Sequence, residues 1–254
     1  MVAVSTVDGD TDIAAVAGLL ADRGRCRILL ALGDGRALPA SVLAAEAGVS
    51  APTASVHLAR LVDAGLLTVE RYGRRRYHRL SGPEVGELLE AIARIAPAEP
   101  VRSLRQGTRA YAVRAARVCY DHLAGRLGTQ LMAALLRQEI LAGGDGMFHG
   151  GHDGRDRLAA FGRGDADYRL TEHGRRKLAD FGIDLAPRDS RRLVRYCVDW
   201  SEQRHHLAGR LGAALLARFE ALDWMRRAPN SRAIHITERG RAGLAGTFGL
   251  EVPD

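Results

Sequence analysis

Two short runs of chemically capable side chains mark the middle and the C-terminal part of this 254-residue chain. One is Cys119, Tyr120, Asp121 and His122; the other is Cys197, Asp199, Trp200, His205 and His206. Thiols and imidazoles brought together suit zinc or another thiophilic metal, and a thiol alone can serve as a redox switch. Aromatic neighbours with a few polar groups suit an organic ligand instead. On a helix, Cys119 and His122 would share one face. No CxxC or HxxxH spacing accompanies them, so filling a core or capping a helix is the competing reading. His149 and His152, in the Gly- and His-rich loop from Gly143 to Gly154, are expected in solvent. Cys26 stands alone on an apolar helical stretch and reads as core packing.

The two runs are copies. Arg114, Arg117, Cys119 and Asp121 recur 78 positions later as Arg192, Arg195, Cys197 and Asp199. The segment from His122 to Gly128 (HLAGRLG) recurs 84 positions on, from His206 to Gly212, and Thr171-Glu172-His173-Gly174-Arg175 returns as Thr237-Glu238-Arg239-Gly240-Arg241. The order is kept and only loop lengths change, which is the signature of an internal repeat. Copy one spans 108–185 and copy two 186–254. Each is expected to run helix, helix, strand, helix, with Thr171 and Thr237 as N-caps of the closing helices. Paired copies pack about a pseudo-twofold axis, and the seam between them is the expected effector pocket.

The elements upstream have a different character. Asp12 to Leu32 reads as helix with a bend at Arg23–Arg27, stopped by Gly33-Asp34-Gly35. A short helix over Leu38–Ala47 ends at Gly48. Ser50 then caps a helix with Pro52 in its first turn, and this helix runs to Ala64. Leu66–Arg71 alternates as a strand, Tyr72-Gly73-Arg74 turns, and Arg75–Leu80 returns. Two helices joined through Gly48-Val49-Ser50 and followed by an arginine-tipped hairpin form a winged helix-turn-helix. Ser50, Ala51, Pro52, Thr53, Ser55, Val56 and Arg60 would face the DNA major groove, while Arg74, Arg75 and Arg76 would grip the flanking backbone or minor groove.

Residues 10–96 resemble the ArsR family of bacterial transcriptional repressors. The carriers are Arg23–Leu32 (RGRCRILLAL), Val49–Leu67 (VSAPTASVHLARLVDAGLL) and Tyr72–Tyr77 (YGRRRY). The resemblance implies a homodimer paired through its first and last helices, here Thr11–Asp22 and Pro83–Ile95, which binds a palindromic operator and releases it when a ligand binds. Val85, Leu88, Leu89 and Ile92 give the second helix its apolar stripe, which could instead be buried against the C-terminal domain. Both familiar metal sites of the family are missing, since Arg36–Ala47 holds no cysteine and Pro83–Pro97 neither His nor Asp. Arsenic or zinc sensing is therefore not inherited from the family.

Composition bounds the rest. The net charge is +7, yet 36 of the 37 basic residues are arginine, a pattern that GC-rich coding alone produces. Distribution is more telling: residues 1–96 carry 11 basic and 11 acidic groups, but Arg60–Arg79 holds six arginines against Asp63 and Glu70. Three scattered cysteines argue against a disulfide framework and for a reducing, cytoplasmic setting. No membrane span, signal peptide, GxSxG, HExxH or Walker A pattern is present, nor a GxGxxG between a strand and a helix, so an enzyme is not expected.

The expected chain is mainly α. A winged helix-turn-helix domain (10–96) is followed by a linker (97–107) and a duplicated α+β domain (108–254). Its expected work is ligand-responsive repression on double-stranded operator DNA as a homodimer, with a thiophilic metal or organic effector and no membrane partner. The alternative is a protein-interaction scaffold whose helix-turn-helix does not bind DNA.

Overall fold

The computed structural model describes residues 11–72, 75–97, 104–149, 168–186, 191–228 and 231–252. The chain divides into two compact units, 1–85 and 86–254. The division falls inside the helix Pro83–Ile95, upstream of the expected 97–107 linker. Two acidic side chains explain it: Glu87 pairs with Arg195, and Glu90 pairs with Arg117 and Arg232, all in the second unit.

In the first unit, the stretch read as one bent helix is two, α1 (Ile13–Leu20) and α2 (Arg23–Ala31). Asp12 and Asp22 each accept a backbone N–H three residues on, so the second cap starts a new helix. Arg25 folds back to donate to the carbonyls of Leu19 and Gly18 (2.6 and 3.1 Å), satisfying the end that α1 would otherwise leave unpaired. Cys26 is not simply core, because its thiol donates to the Leu20 carbonyl at 2.8 Å.

Next come β1 (Leu38–Pro39), α3 (Ala40–Ala47), α4 (Ala51–Asp63), β2 (Leu67–Tyr72) and β3 (Arg75–Leu80). Gly48, in the left-handed conformation, ends α3, and Ser50 caps α4 through the Thr53 N–H. The sheet order β1-β3-β2 includes one strand the sequence did not suggest, β1, which pairs Leu38 with His78. Ile28, Leu29, Leu32, Leu43, Leu58 and Leu61 form the buried seam of this winged helix-turn-helix.

The second unit takes in most of α5 (Pro83–Ile95), followed by α6 (Leu104–Ala115). The first sequence copy then builds β4 (Arg117–Cys119), β5 (His122–Ala124), α7 (Gly125–Arg137), β6 (Leu141–Ala142), β7 (Arg169–Leu170) and α8 (Glu172–Asp180). The second builds β8 (Arg195–Val198), β9 (His205–Ala208), α9 (Gly209–Ala221), β10 (Met225–Arg227), β11 (Ile234–Ile236) and α10 (Glu238–Phe248). The segments around both cysteines are thus hairpins where helices were expected. The spacing Cys119–His122 fits a helix face, but it also fits the two residues that close a two-residue turn. The run Tyr196-Cys197-Val198 has the residue types that favour strands, and the ladder wins.

The two copies interlock. Helix α7 packs on β9, α9 packs on β5, and β5 lies beside β9. The core joins Leu127, Leu131 and Leu135 of α7 to Leu211, Leu215 and Phe219 of α9. Thr171 and Thr237 cap α8 and α10, and each hydroxyl also donates to a carbonyl of the turn just past α7 or α9, that of Glu139 or Asp223. Close approach at those turns needs glycine, since a Cβ on Gly174 or Gly240 would overlap the carbonyl oxygen of Ile140 or of Trp224.

Arg117 is the unit's central polar group and has no exposed surface. Its Nη2 donates to Asp199 Oδ2 at 2.9 Å and to Glu90 Oε2 at 3.1 Å, and Nη1 donates to Ser201 Oγ at 3.3 Å. The guanidinium lies 4.9 Å from the Trp200 ring centroid. Asp199 also accepts from the Gly125 N–H, and Glu90 from Arg232 at 2.9 Å. One ion-pair chain therefore runs from the second hairpin through the first to α5.

Three outcomes are expected in urea denaturation. Replacing Arg117 with Ala strands two buried carboxylates and should cost about 3–5 kcal/mol. Gly174→Ala and Gly240→Ala should each cost roughly 1–3 kcal/mol through overpacking, whereas Gly246→Ala in α10, which has open space around it, should gain about 1 kcal/mol of helix propensity.

Candidate functional site

The first candidate surface is built on α4. Ala54, Leu58 and Leu61 point into the first unit, which leaves Ala51, Pro52, Thr53, Ser55, Val56 and Arg60 exposed with Ser50 at the cap. The Ser50 and Thr53 hydroxyls lie 2.8 Å apart, and Ser55 donates back to the Ala51 carbonyl. Val56 is 53% exposed, an apolar tip on an otherwise polar face. In the wing, Arg79 is bound to Glu70 at 2.7 Å. Among the described residues no ion pair engages Arg60, Arg75 or Arg76, so their charge is available to an outside anion. Arg74 lies outside the described residues.

The second candidate is a thiol–imidazole centre. Within each hairpin, a cysteine and a histidine are direct cross-strand partners: Cys119 with His122, and Cys197 with His206. Because β5 and β9 are neighbours, the two pairs meet. One ligating atom from each of Cys119, His122, Cys197 and His206 falls within 4.8 Å of all the others. The two imidazoles stack with ring centroids 5.2 Å apart. Cys119, His122 and His206 are buried and Cys197 partly so. Nε2 of His122 and both ring nitrogens of His206 are buried without a hydrogen-bond partner.

Each imidazole has a carboxylate behind it. His122 Nδ1 lies 3.1 Å from Asp121, and His206 Nδ1 lies 3.7 Å from Asp199. A hydrogen bond with Cys197, then burial, pushes the Cys119 thiol well above its ordinary range. Burial opposes charge on His122, but Cys119 and Asp121 outweigh it and raise its pKa to about 9. Burial, then His122, pushes His206 well down. Burial would raise Asp199, yet Arg117 and His206 hold it at about 2. Such a set offers two soft sulfurs and two nitrogens to one point, the donor chemistry of a thiophilic cation.

The remaining residues singled out in the sequence sit elsewhere. His205 belongs to a separate aromatic cluster, with Nδ1 2.7 Å from the Tyr168 hydroxyl and its ring 4.2 Å from that of Tyr196. Tyr120 turns the first hairpin with a left-handed backbone. Trp200 covers the guanidinium of Arg117 and is 5.7 Å from that of Arg114. His149 is exposed beside Asp145, and His152 lies outside the described residues. Glu90 escaped notice altogether. Its signal was faint, a carboxylate one residue beyond Leu89 in an amphipathic helix. Cys197 and Glu90 also share the wall of a groove between α5 and β8 with Glu87, Ala91, Arg94 and Arg195.

Comparison with known proteins places residues 20–70 in a helix-turn-helix domain family. Among solved structures, the chain is similar to the homodimeric winged helix-turn-helix DNA-binding domain of a possible ArsR-family regulator from Mycobacterium bovis. Identity there is 29%, over 35% of this chain and 89% of that one, with a TM-score of 0.31. Reduced HlyU from Vibrio cholerae is 26% identical over 34% of this chain and 88% of its own, also at 0.31. The uncharacterized HTH-type transcriptional regulator YdfF of Bacillus subtilis is similar along nearly the whole length, 37% identical over 91% of this chain and 94% of its own. Likeness at that identity and coverage extends through both units, and the chain belongs to the family of HTH-type transcriptional regulators.

Proposed function

We propose that this protein is a homodimeric, operator-binding repressor whose C-terminal unit receives an effector. The observation that carries the DNA reading is the face of α4, where small and hydroxylated side chains stand exposed on a capped helix with uncommitted arginines in the same unit. Thr53, Ser55 and Val56 have the reach and chemistry for base edges, including the thymine methyl. Arg60, Arg75 and Arg76, together with Arg74 of the same arginine run, suit phosphates. The protein acts on chromosomal DNA in the cytoplasm and performs no catalytic step.

The dimer reading rests on apolar surface that the single chain leaves open. Helix α1 is almost wholly apolar yet has no buried residue, and Ile13 is 74% exposed. On α5, Val85 and Leu89 are buried while Ile92 and Ile95 are 37% and 85% exposed. Such faces are costly in water unless a second copy covers them. The resemblance to the ArsR repressors and the homodimeric M. bovis domain point the same way.

Operator fragments recovered by footprinting on chromosomal DNA supply the test. Arg75→Ala with Arg76→Ala should weaken binding to every sequence alike and flatten the log-affinity against log-salt slope by about 0.9 for each phosphate no longer neutralised. Ser55→Ala should instead change base preference, by roughly 1–3 kcal/mol at the base it reads. An unchanged salt slope removes the wing from the interface.

Aspartate at both Ile92 and Ile95 should yield a folded monomer by sedimentation with lost operator affinity, since unpaired charges are costly in a dry interface. A dimer of intact affinity would place the partnering surface elsewhere.

A further inference from the structure

The four convergent side chains include ring nitrogens that no hydrogen bond satisfies. A buried polar nitrogen without a partner costs free energy, and native structures keep few of them. Here three sit together, Nε2 of His122 and both nitrogens of His206, beside two thiols. A tetrahedral ion with metal–sulfur bonds of about 2.3 Å and metal–nitrogen bonds of about 2.0–2.1 Å would accept all four groups at once. The spread of 4.8 Å or less is close to what that geometry requires, so only small side-chain movements are needed.

The surroundings fit an ion as well. Ligating imidazoles characteristically direct the other ring nitrogen to a carboxylate, which fixes the ring and raises its basicity. Asp121 stands in that position for His122, and Asp199 for His206. Two thiolates formed on binding would neutralise a divalent charge, their protons leaving to solvent. Cys197 is only partly buried and borders the groove beside α5, which gives an ion a way in. Four protein ligands close the coordination sphere, which suits a structural or sensing ion rather than a reacting one.

We propose that Cys119, His122, Cys197 and His206 form a four-coordinate site for a zinc-like thiophilic divalent cation, and that its occupancy is passed to α5 through Asp199, Arg117 and Glu90. Asp199 is the shared member, because the Oδ2 near His206 also accepts from Arg117. Arg117 in turn holds Glu90, whose helix carries the exposed Ile92 and Ile95. A shift of His206 toward an ion changes what Asp199 must balance, and the next charged partner along the chain lies on α5. The coupling deepens the repressor reading and rests on it, whereas the metal site itself does not.

The experiment uses the full-length chain stripped with chelator under reducing conditions. Cobalt(II) titration should saturate at one equivalent, with the strong visible bands of a tetrahedral ion and a sulfur-to-cobalt charge-transfer band, both abolished by equimolar zinc. Cys119→Ser with Cys197→Ser should lose them, and Cys26→Ser should keep them. The wild-type titration needs no variant to fold. Absent bands, bands that survive the double serine variant, or a Cys119–Cys197 disulfide in protein isolated without oxygen would overturn the site.

Operator affinity is then measured with and without zinc. An effect of about tenfold is expected for wild type, within the usual range of coupling between sites. Glu90→Gln should bind cobalt with the same stoichiometry but respond to zinc less than about twofold. Stoichiometric metal with unchanged wild-type affinity overturns the coupling. If neither form binds the operator, the repressor reading and the coupling fail together, while the cobalt spectrum still decides the site.

Discussion

A fully buried arginine between two acidic side chains organises the second unit of this protein. Removing the Arg117 guanidinium from water is expensive, and the cost is offset only because Asp199 and Glu90 meet it within 3.1 Å and Trp200 covers its face. Each partner is held in turn. Asp199 takes the Gly125 and Ser201 amides, and Glu90 takes Arg232. An apolar trio of the same volume could be as stable, so the gain lies in register. The three charges can pair only when the first hairpin, the second hairpin and α5 stand in one arrangement. The thiol–imidazole centre depends on the same arrangement, since each hairpin contributes half of it.

The two units solve different problems with different means. The first holds its shape through leucine and isoleucine packing and a set of helix caps, with Arg25, Asp34 and His78 as its buried polar groups and a small, mostly polar face of α4 left outside. The second turns polar groups inward: His122, His205, His206, Asp199 and Arg117 are all buried, along with Glu90 of α5. Interior polar networks with unsatisfied members are unusual in a domain that only needs to be stable, and they mark sites that respond to something. The difference is one of degree, and the convergence of two thiols and two imidazoles in the second unit supports the proposal that an effector is received there.

Much of the first unit was legible because its signals are local. Ser50, Pro52, Gly48 and Gly65 punctuate the chain, and the apolar period places Leu58 and Leu61 inward. The repeat in the second unit was equally visible, as were its two threonine caps. The secondary structure around its cysteines was not, because the Cys119–His122 spacing serves a helix face and a tight turn alike, and only pairing with a partner strand decides. Helical reading still pointed to the convergent residues, since either geometry brings Cys119 near His122. Glu90 and the division near residue 85 could not be read from the sequence. They arise from ion pairs between groups far apart along the chain, and no local pattern records such a partner.

Hydrogen exchange tests the central claim most directly. If the charge chain sets the state of α5, then Asp199→Asn, more than a hundred residues from that helix in sequence, should speed exchange of the amides of Glu87–Ile95 by about tenfold, a loss of about 1.4 kcal/mol of local stability. Amides of α4 in the first unit should be unchanged. Exchange in α5 at the wild-type rate, with the substitution felt only in the second hairpin, would contradict the account.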